Sequence, residues 1–194
     1  MKIVSRIEDA REIVKAWKTE GLTVGFVPTM GYLHEGHESL IKKAFEENDR
    51  VVVSVFINAK QFGEKEDFST YPKDLERDSN ICALSGAHMV FNPRHEAMYP
   101  DGFSSYVDME DLTENLCGKV RESHFRGVCT VLAKLFNIIQ ANRTYFGKKD
   151  AQQIVVVKKM VFDLNFDVDE IKKGTLLAVA VFIGDTRLID NFTF

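Results

Sequence analysis

Two short runs, 23–27 and 51–57, carry apolar residues on both faces of a strand repeat, and nothing else in the chain restricts its fold as strongly. Thr23-Val24-Gly25-Phe26-Val27 and Val51-Val52-Val53-Ser54-Val55-Phe56-Ile57 leave almost no polar face to turn toward water. Strands of this kind are stable where both faces are covered, as inside a parallel sheet with helices above and below. Further strand patterns at 88–92 and 144–147 alternate with helical ones near 7–19, 36–47, 73–85, 127–140 and 151–163. The expected fold class is therefore α/β, a doubly wound parallel sheet. At 194 residues the chain can make one such domain and a small appendage. Segment 104–109 alternates like a short strand outside the main sheet, and 111–126 has no strong period.

The first of these strands runs into Pro28-Thr29-Met30-Gly31-Tyr32-Leu33-His34-Glu35-Gly36-His37, which sets two imidazoles three residues apart where a helix begins. A helix start offers unpaired backbone N–H groups and the positive end of a dipole, an arrangement suited to the phosphates of ATP. His34 and His37 would lie over those phosphates and donate to charge developing on an attacked α-phosphorus. The same spacing also occurs where two histidines merely cap a helix.

The formal charge of −4 argues against a nucleic-acid surface and leaves room for a local phosphate pocket. Cys82, Cys117 and Cys129 lack metal-ligand spacing and read as buried, reduced thiols, which fits a cytoplasmic location. Lys2, Arg6, Glu8, Asp9 and Arg11 interrupt any apolar leader, and no run approaches the ~20 apolar residues that span a bilayer. No Ser-His-Asp or Cys-His nucleophile arrangement is visible. Near the end, 175–183 is β-prone, Gly184-Asp185 forms a turn and 186–191 returns, together a hairpin expected over a remnant unit at 169–194. A ribbon this apolar needs cover, from the sheet edge or from a second copy of the chain.

Taken together these segments resemble the pantoate–β-alanine ligase (pantothenate synthetase) family of the HIGH-type nucleotidyltransferase superfamily. The resemblance rests on Pro28-Thr29-Met30-Gly31 with His34-Glu35-Gly36-His37, on 53–58 leading to Gln61-Phe62-Gly63, and on Glu66-Asp67-Phe68 with Tyr71-Pro72. It continues through His124-Phe125-Arg126-Gly127, Ala133-Lys134-Leu135-Phe136-Asn137, and Tyr145-Phe146-Gly147-Lys148-Lys149-Asp150-Ala151-Gln152-Gln153. It implies a Rossmann-like nucleotide- and pantoate-binding domain over 1–168 that uses ATP and Mg²⁺. Pantoate would attack the α-phosphorus to give pantoyl adenylate and pyrophosphate, and the β-alanine amine would then displace AMP.

By the same resemblance, Pro28, Thr29, Met30, Gly31, His34, His37, Gly147, Lys149 and Asp150 would form the ATP site. His34, His37 and Lys149 would act on the phosphates. Met30, Gln61, Gln153, Arg121 and His124 would bind or close over substrate. Asp150 would contact the ribose or cap the following helix. Asp78 aligns with an acidic position that holds Mg²⁺ in relatives, or is a helix surface charge. Relatives associate as homodimers. They also continue after the position of Val168 into a Met-Ser-Ser-Arg-Asn motif and a lid domain, whereas here Gly174 to Asn191 resembles only the family's last residues. Two readings follow: a ligase with a reduced lid, or a pantoate- and ATP-binding remnant that does not turn over.

Overall fold

A computed structural model of the chain describes residues 1–63, 68, 70–113, 121, 123–147 and 151–168, and beyond them the backbone of strands within 170–192. Six parallel strands form the sheet: β1 (Lys2–Val4), β2 (Val24–Thr29), β3 (Arg50–Val55), β4 (Met89–Phe91), β5 (Arg143–Phe146) and β6 (Glu170–Lys173). Their spatial order is β1-β4-β3-β2-β5-β6. Among the described residues the helices are α1 (Ile7–Thr19), α2 (Glu35–Glu47), α3 (Leu75–Leu84), the short α4 (His95–Met98), α5 (His124–Ile139) and α6 (Ala151–Asp163).

The period of two in the central strands feeds two separate cores. Val24, Phe26 and Val52 point to one face, where they pack with residues of α1, α5 and α6. Val27, Val51, Val53 and Val55 point to the other, with Ile41 and Ala44 of α2 and Cys82 of α3. The doubly apolar runs therefore do become the two central strands. Chain order reverses at β2, whose neighbours are β3 on one side and β5 on the other. In doubly wound sheets such a switch point opens a crevice at the carboxyl ends of the strands. Here the segments that leave β2 and β5 there are 30–34 and the one that begins at Gly147.

Four features differ from the sequence expectations. Segment 104–109 forms no strand: the Val107 N–H donates to Thr130 Oγ1 (3.0 Å), and the Arg126 guanidinium lies 4.2 Å over the Tyr106 ring. Its alternation reflects a loop leaning on α5, with Val107 and Met109 packed against the core. Helix α5 begins at His124, earlier than its apolar repeat suggests, because Phe125 is already buried. Strand β1 has no apolar pattern to betray it, being an edge strand with Ile3 exposed. The parallel sheet also runs past residue 168, since β6 pairs with β5 from Arg143↔Glu170 to Phe146↔Lys173. Beyond it, β7 (Leu177–Ile183) and β8 (Thr186–Phe192) form a separate antiparallel pair with Ile183 opposite Thr186.

Candidate active site

At the carboxyl end of β2 the chain makes a sharp turn through two successive left-handed residues, Gly31 (φ +90°) and Tyr32 (φ +52°), before His34 opens α2. Thr29 Oγ1 accepts the Gly31 N–H (3.2 Å) and donates to the Ser54 carbonyl (2.7 Å), tying the turn to β3. The two imidazoles cap the helix reciprocally. The Gly36 N–H donates to His34 Nδ1 (3.1 Å), and the His34 N–H donates to His37 Nδ1 (3.3 Å). The rings sit 4.2 Å apart, centroid to centroid.

This corrects one expectation. The first turn of α2 is not a row of unpaired N–H groups, because Gly36 donates to His34 Nδ1 and His37 donates to the His34 carbonyl (2.8 Å). What the turn presents instead follows from chemistry. A backbone N–H can only donate, so both Nδ1 atoms are acceptors, and each neutral imidazole carries its proton on Nε2. His34 and His37 are thereby both fixed as Nε2–H donors.

Gln61 ends a short 3₁₀ turn, Ala59–Gln61, and its carboxamide is held at both ends. Asn58 Nδ2 donates to Gln61 Oε1 (3.0 Å), and Gln61 Nε2 donates to Met30 Sδ (3.2 Å). Asn58 is only 1 % exposed; it also donates to the Gly127 carbonyl (3.0 Å) and accepts from the Tyr99 hydroxyl (2.7 Å). Burial keeps that hydroxyl protonated well above the usual tyrosine range, with Tyr106 adding to the shift, so it remains a donor. Asn58→Ala is expected to lower stability by about 2 kcal/mol, since it leaves buried partners unsatisfied. A urea unfolding midpoint unchanged from that of the parent would contradict this.

Arg121 and His124 meet at the Gln61 backbone. His124 Nδ1 lies 3.0 Å from the Gln61 carbonyl, which can only accept, so this ring carries its proton on Nδ1. Its Nε2 faces Arg121 Nη1 at 3.2 Å, and Arg121 Nη2 donates to the same carbonyl at 3.4 Å. Both side chains thus hold the Gln61 turn in place. Gln153 is half-buried in the first turn of α6, and no hydrogen bond among the described residues ties it to the others. Among the described residues, a Cβ added at Gly147 would meet only Leu40 Cδ1, at 3.9 Å. Lys149, Asp150 and Cys117 lie outside the described residues.

The Asp78 carboxylate is held by the backbone. Its side chain is buried, and both oxygens are engaged by the backbone: Oδ2 accepts the Tyr32 N–H and Oδ1 the Leu33 N–H, each at 2.7 Å. Among the described residues no group of three His, Cys, Asp or Glu side chains is placed to hold a metal ion. Burial pushes the thiols of Cys82 and Cys129 up to about 12, so neither supplies a thiolate. A cavity of about 550 Å³, walled in part by Met30, Phe56, Ile57, Leu75, Asn92 and His95, opens at the ends of β3 and β4.

Sequence reasoning missed three residues that build this geometry: Asn58, Gly127 and Tyr99. No helix among the described residues is long and apolar enough to cross a membrane.

The family model described as Pantoate-beta-alanine ligase matches residues 2–172. A pantothenate synthetase of Clostridium botulinum (strain Loch Maree / Type A3) is 60% identical over 169 residues, covering 87% of this chain and 60% of the relative. One from Enterococcus faecalis is also 60% identical over 169 residues, with the same coverage of each chain. The crystal structure of pantothenate synthetase from Thermus thermophilus superposes with a TM-score of 0.83 at 46% identity, covering 91% of this chain and 62% of that one. The pantoate-beta-alanine ligase of Francisella tularensis, solved in complex with beta-gamma ATP and beta-alanine, gives a TM-score of 0.90 at 30% identity, covering 100% of this chain and 97% of that one. The chain spans about 60% of the length of the curated relatives it matches. With a family model matched over most of its length, relatives 60% identical to it and a solved family structure that shares its fold at 46% identity, the chain belongs to the pantoate–β-alanine ligase family.

Proposed function

We propose that the chain binds ATP and pantoate at the carboxyl ends of β2 and β5 and forms pantoyl adenylate, which β-alanine then converts to pantothenate. The observation that carries this reading is the pair of histidines fixed as Nε2–H donors at the switch point of the sheet. In the first step a pantoate carboxylate oxygen bonds to the α-phosphorus, the bond to the bridging oxygen breaks, and pyrophosphate leaves. Charge gathers on the α-phosphoryl oxygens, where preorganised donors lower the barrier. In the second step the β-alanine nitrogen attacks the acyl carbon, AMP departs, and the amine gives up a proton as the amide forms. Both steps are governed by placement of the reactants, and neither calls for a protein nucleophile.

In this reading the held carboxamide of Gln61, with Gln153, binds the hydroxy acid, and Met30 lines its pocket. Gly147 lets the nucleotide approach the backbone, Lys149 meets the phosphates and Asp150 the ribose. Arg121 and His124 act on substrate through the Gln61 turn. Mg²⁺ would travel with the triphosphate, held chiefly by phosphates and water, with Asp78 as the candidate carboxylate. A homodimer in the cytoplasm, with the separate pair of β7 and β8 as the remnant of a lid, completes the proposal.

A second reading, a binding module without turnover, differs in one measurable respect: it binds pantoate and forms no adenylate. Pantoate-dependent exchange of labelled pyrophosphate into ATP, with β-alanine omitted, separates the two. Exchange above the pantoate-free background is the expected result. Binding of pantoate by calorimetry without exchange supports the module instead.

A further inference from the structure

We propose that Asp78 is a positioning residue for His34 and His37, acting through the strained turn that delivers them; for its role in the reaction the inference rests on the function proposed above. The turn is unfavourable by itself. Gly31 adopts its left-handed φ at no steric cost, but Tyr32 at φ +52° carries a Cβ into a region that is sterically unfavourable for an L-residue. Such a turn aligns consecutive N–H groups into a concavity that attracts an anion. The anion that fills it here is built into the fold. Asp78, in the first turn of α3, reaches across 46 residues of sequence to accept from Tyr32, and from Leu33 beside it, both at 2.7 Å.

Four consecutive N–H groups are then each received by a side chain: Gly31 by Thr29, Tyr32 and Leu33 by Asp78, and His34 by His37. The fourth is the bond that fixes the His37 tautomer. An error in the turn therefore passes directly into the orientation of the imidazoles. Arg77 supports the clamp from outside, its guanidinium 5.0 Å from the Tyr32 ring and its Nη1 3.6 Å from Asp78 Oδ1. Leu33, fully buried in the core shared with α2, pins the far end. The fit is close, since a Cβ on Gly31 would lie 2.9 Å from Asp78 Oδ2.

The test begins with the full-length parent chain by NMR. Slow hydrogen exchange at the Tyr32 and Leu33 amides is expected, together with imidazole nitrogen shifts that report both His34 and His37 as Nε2–H tautomers. Asp78→Asn keeps the size of the side chain but turns one acceptor into a donor facing an N–H. In that variant the two imidazoles are expected to show mixed tautomers. Pyrophosphate exchange should fall about 100-fold, the scale of a small misplacement of reacting groups, with the half-saturating ATP concentration little changed. Unaltered imidazole shifts in folded Asp78→Asn, or an exchange rate within twofold of the parent, would overturn the proposal. If the variant does not fold, the parent spectra decide: unprotected Tyr32 and Leu33 amides, or Nδ1-protonated rings, overturn it equally. If the parent shows no exchange at all, the proposed function fails, and the NMR comparison still decides the role of Asp78.

Discussion

Gly127→Ala is expected to destabilise the chain by roughly 3 kcal/mol, against the direction this exchange takes in most helices. Inside an exposed helix, alanine is favoured over glycine by about 1 kcal/mol. Gly127 occupies the first turn of α5, where that helix touches the 3₁₀ turn bearing Gln61. A Cβ there would overlap the Lys60 carbonyl oxygen and lie 2.5 Å from its carbon and 2.6 Å from Gln61 Cα. Those atoms are backbone, so no rotamer change relieves the overlap. Either α5 or the 59–61 turn must shift, and either movement breaks the Asn58 bridge to Gln61 and to the Gly127 carbonyl. For a chain of this size the loss corresponds to a fall in melting temperature of about 10 °C. Pantoate binding should weaken with it. A melting temperature equal to or above that of the parent would mean that the two elements are not packed this tightly.

The difference between what the sequence makes legible and what it hides follows the range of each interaction. The central strands announce themselves because burial on both faces leaves a local mark, apolar residues at odd and even positions alike. Strand β1 pairs with β4 over only three residues and has Ile3 in solvent, so no comparable mark exists. At 104–109 a true alternation pointed to a strand that does not form, because a loop resting on α5 imposes the same period. The histidine spacing indicated a helix start. It did not indicate that the His34 ring receives the Gly36 N–H and the His37 ring the His34 N–H, which leaves two imidazole Nε2–H groups at the helix start. Asp78 and Asn58 were the least legible of all. Each acts on backbone or side chains that the fold brings from elsewhere in the chain, and the carboxylate of Asp78 reads in sequence like any charge on a helix.

His34→Ala and His37→Ala are each expected to lower pantoate-dependent pyrophosphate exchange by roughly 100- to 1,000-fold, the usual effect of removing one preorganised donor from a developing oxyanion. Each also removes a cap acceptor, at a cost of about 1 kcal/mol in stability. The reciprocal geometry makes the two substitutions unequal in an informative way. Removing His37 frees the His34 N–H and loosens the turn held by Asp78, whereas removing His34 frees the Gly36 N–H further along the helix. His34→Asn separates capping from chemistry, because asparagine is among the best N-cap residues and its Oδ1 can receive the Gly36 N–H. Its short side chain places no donor where the imidazole Nε2–H stood. Stability should therefore return to near the parent value while exchange stays as low as in His34→Ala. Recovery of both together would show that His34 serves the helix alone, and the stabilisation of the phosphorus would then have to come from other residues of the site.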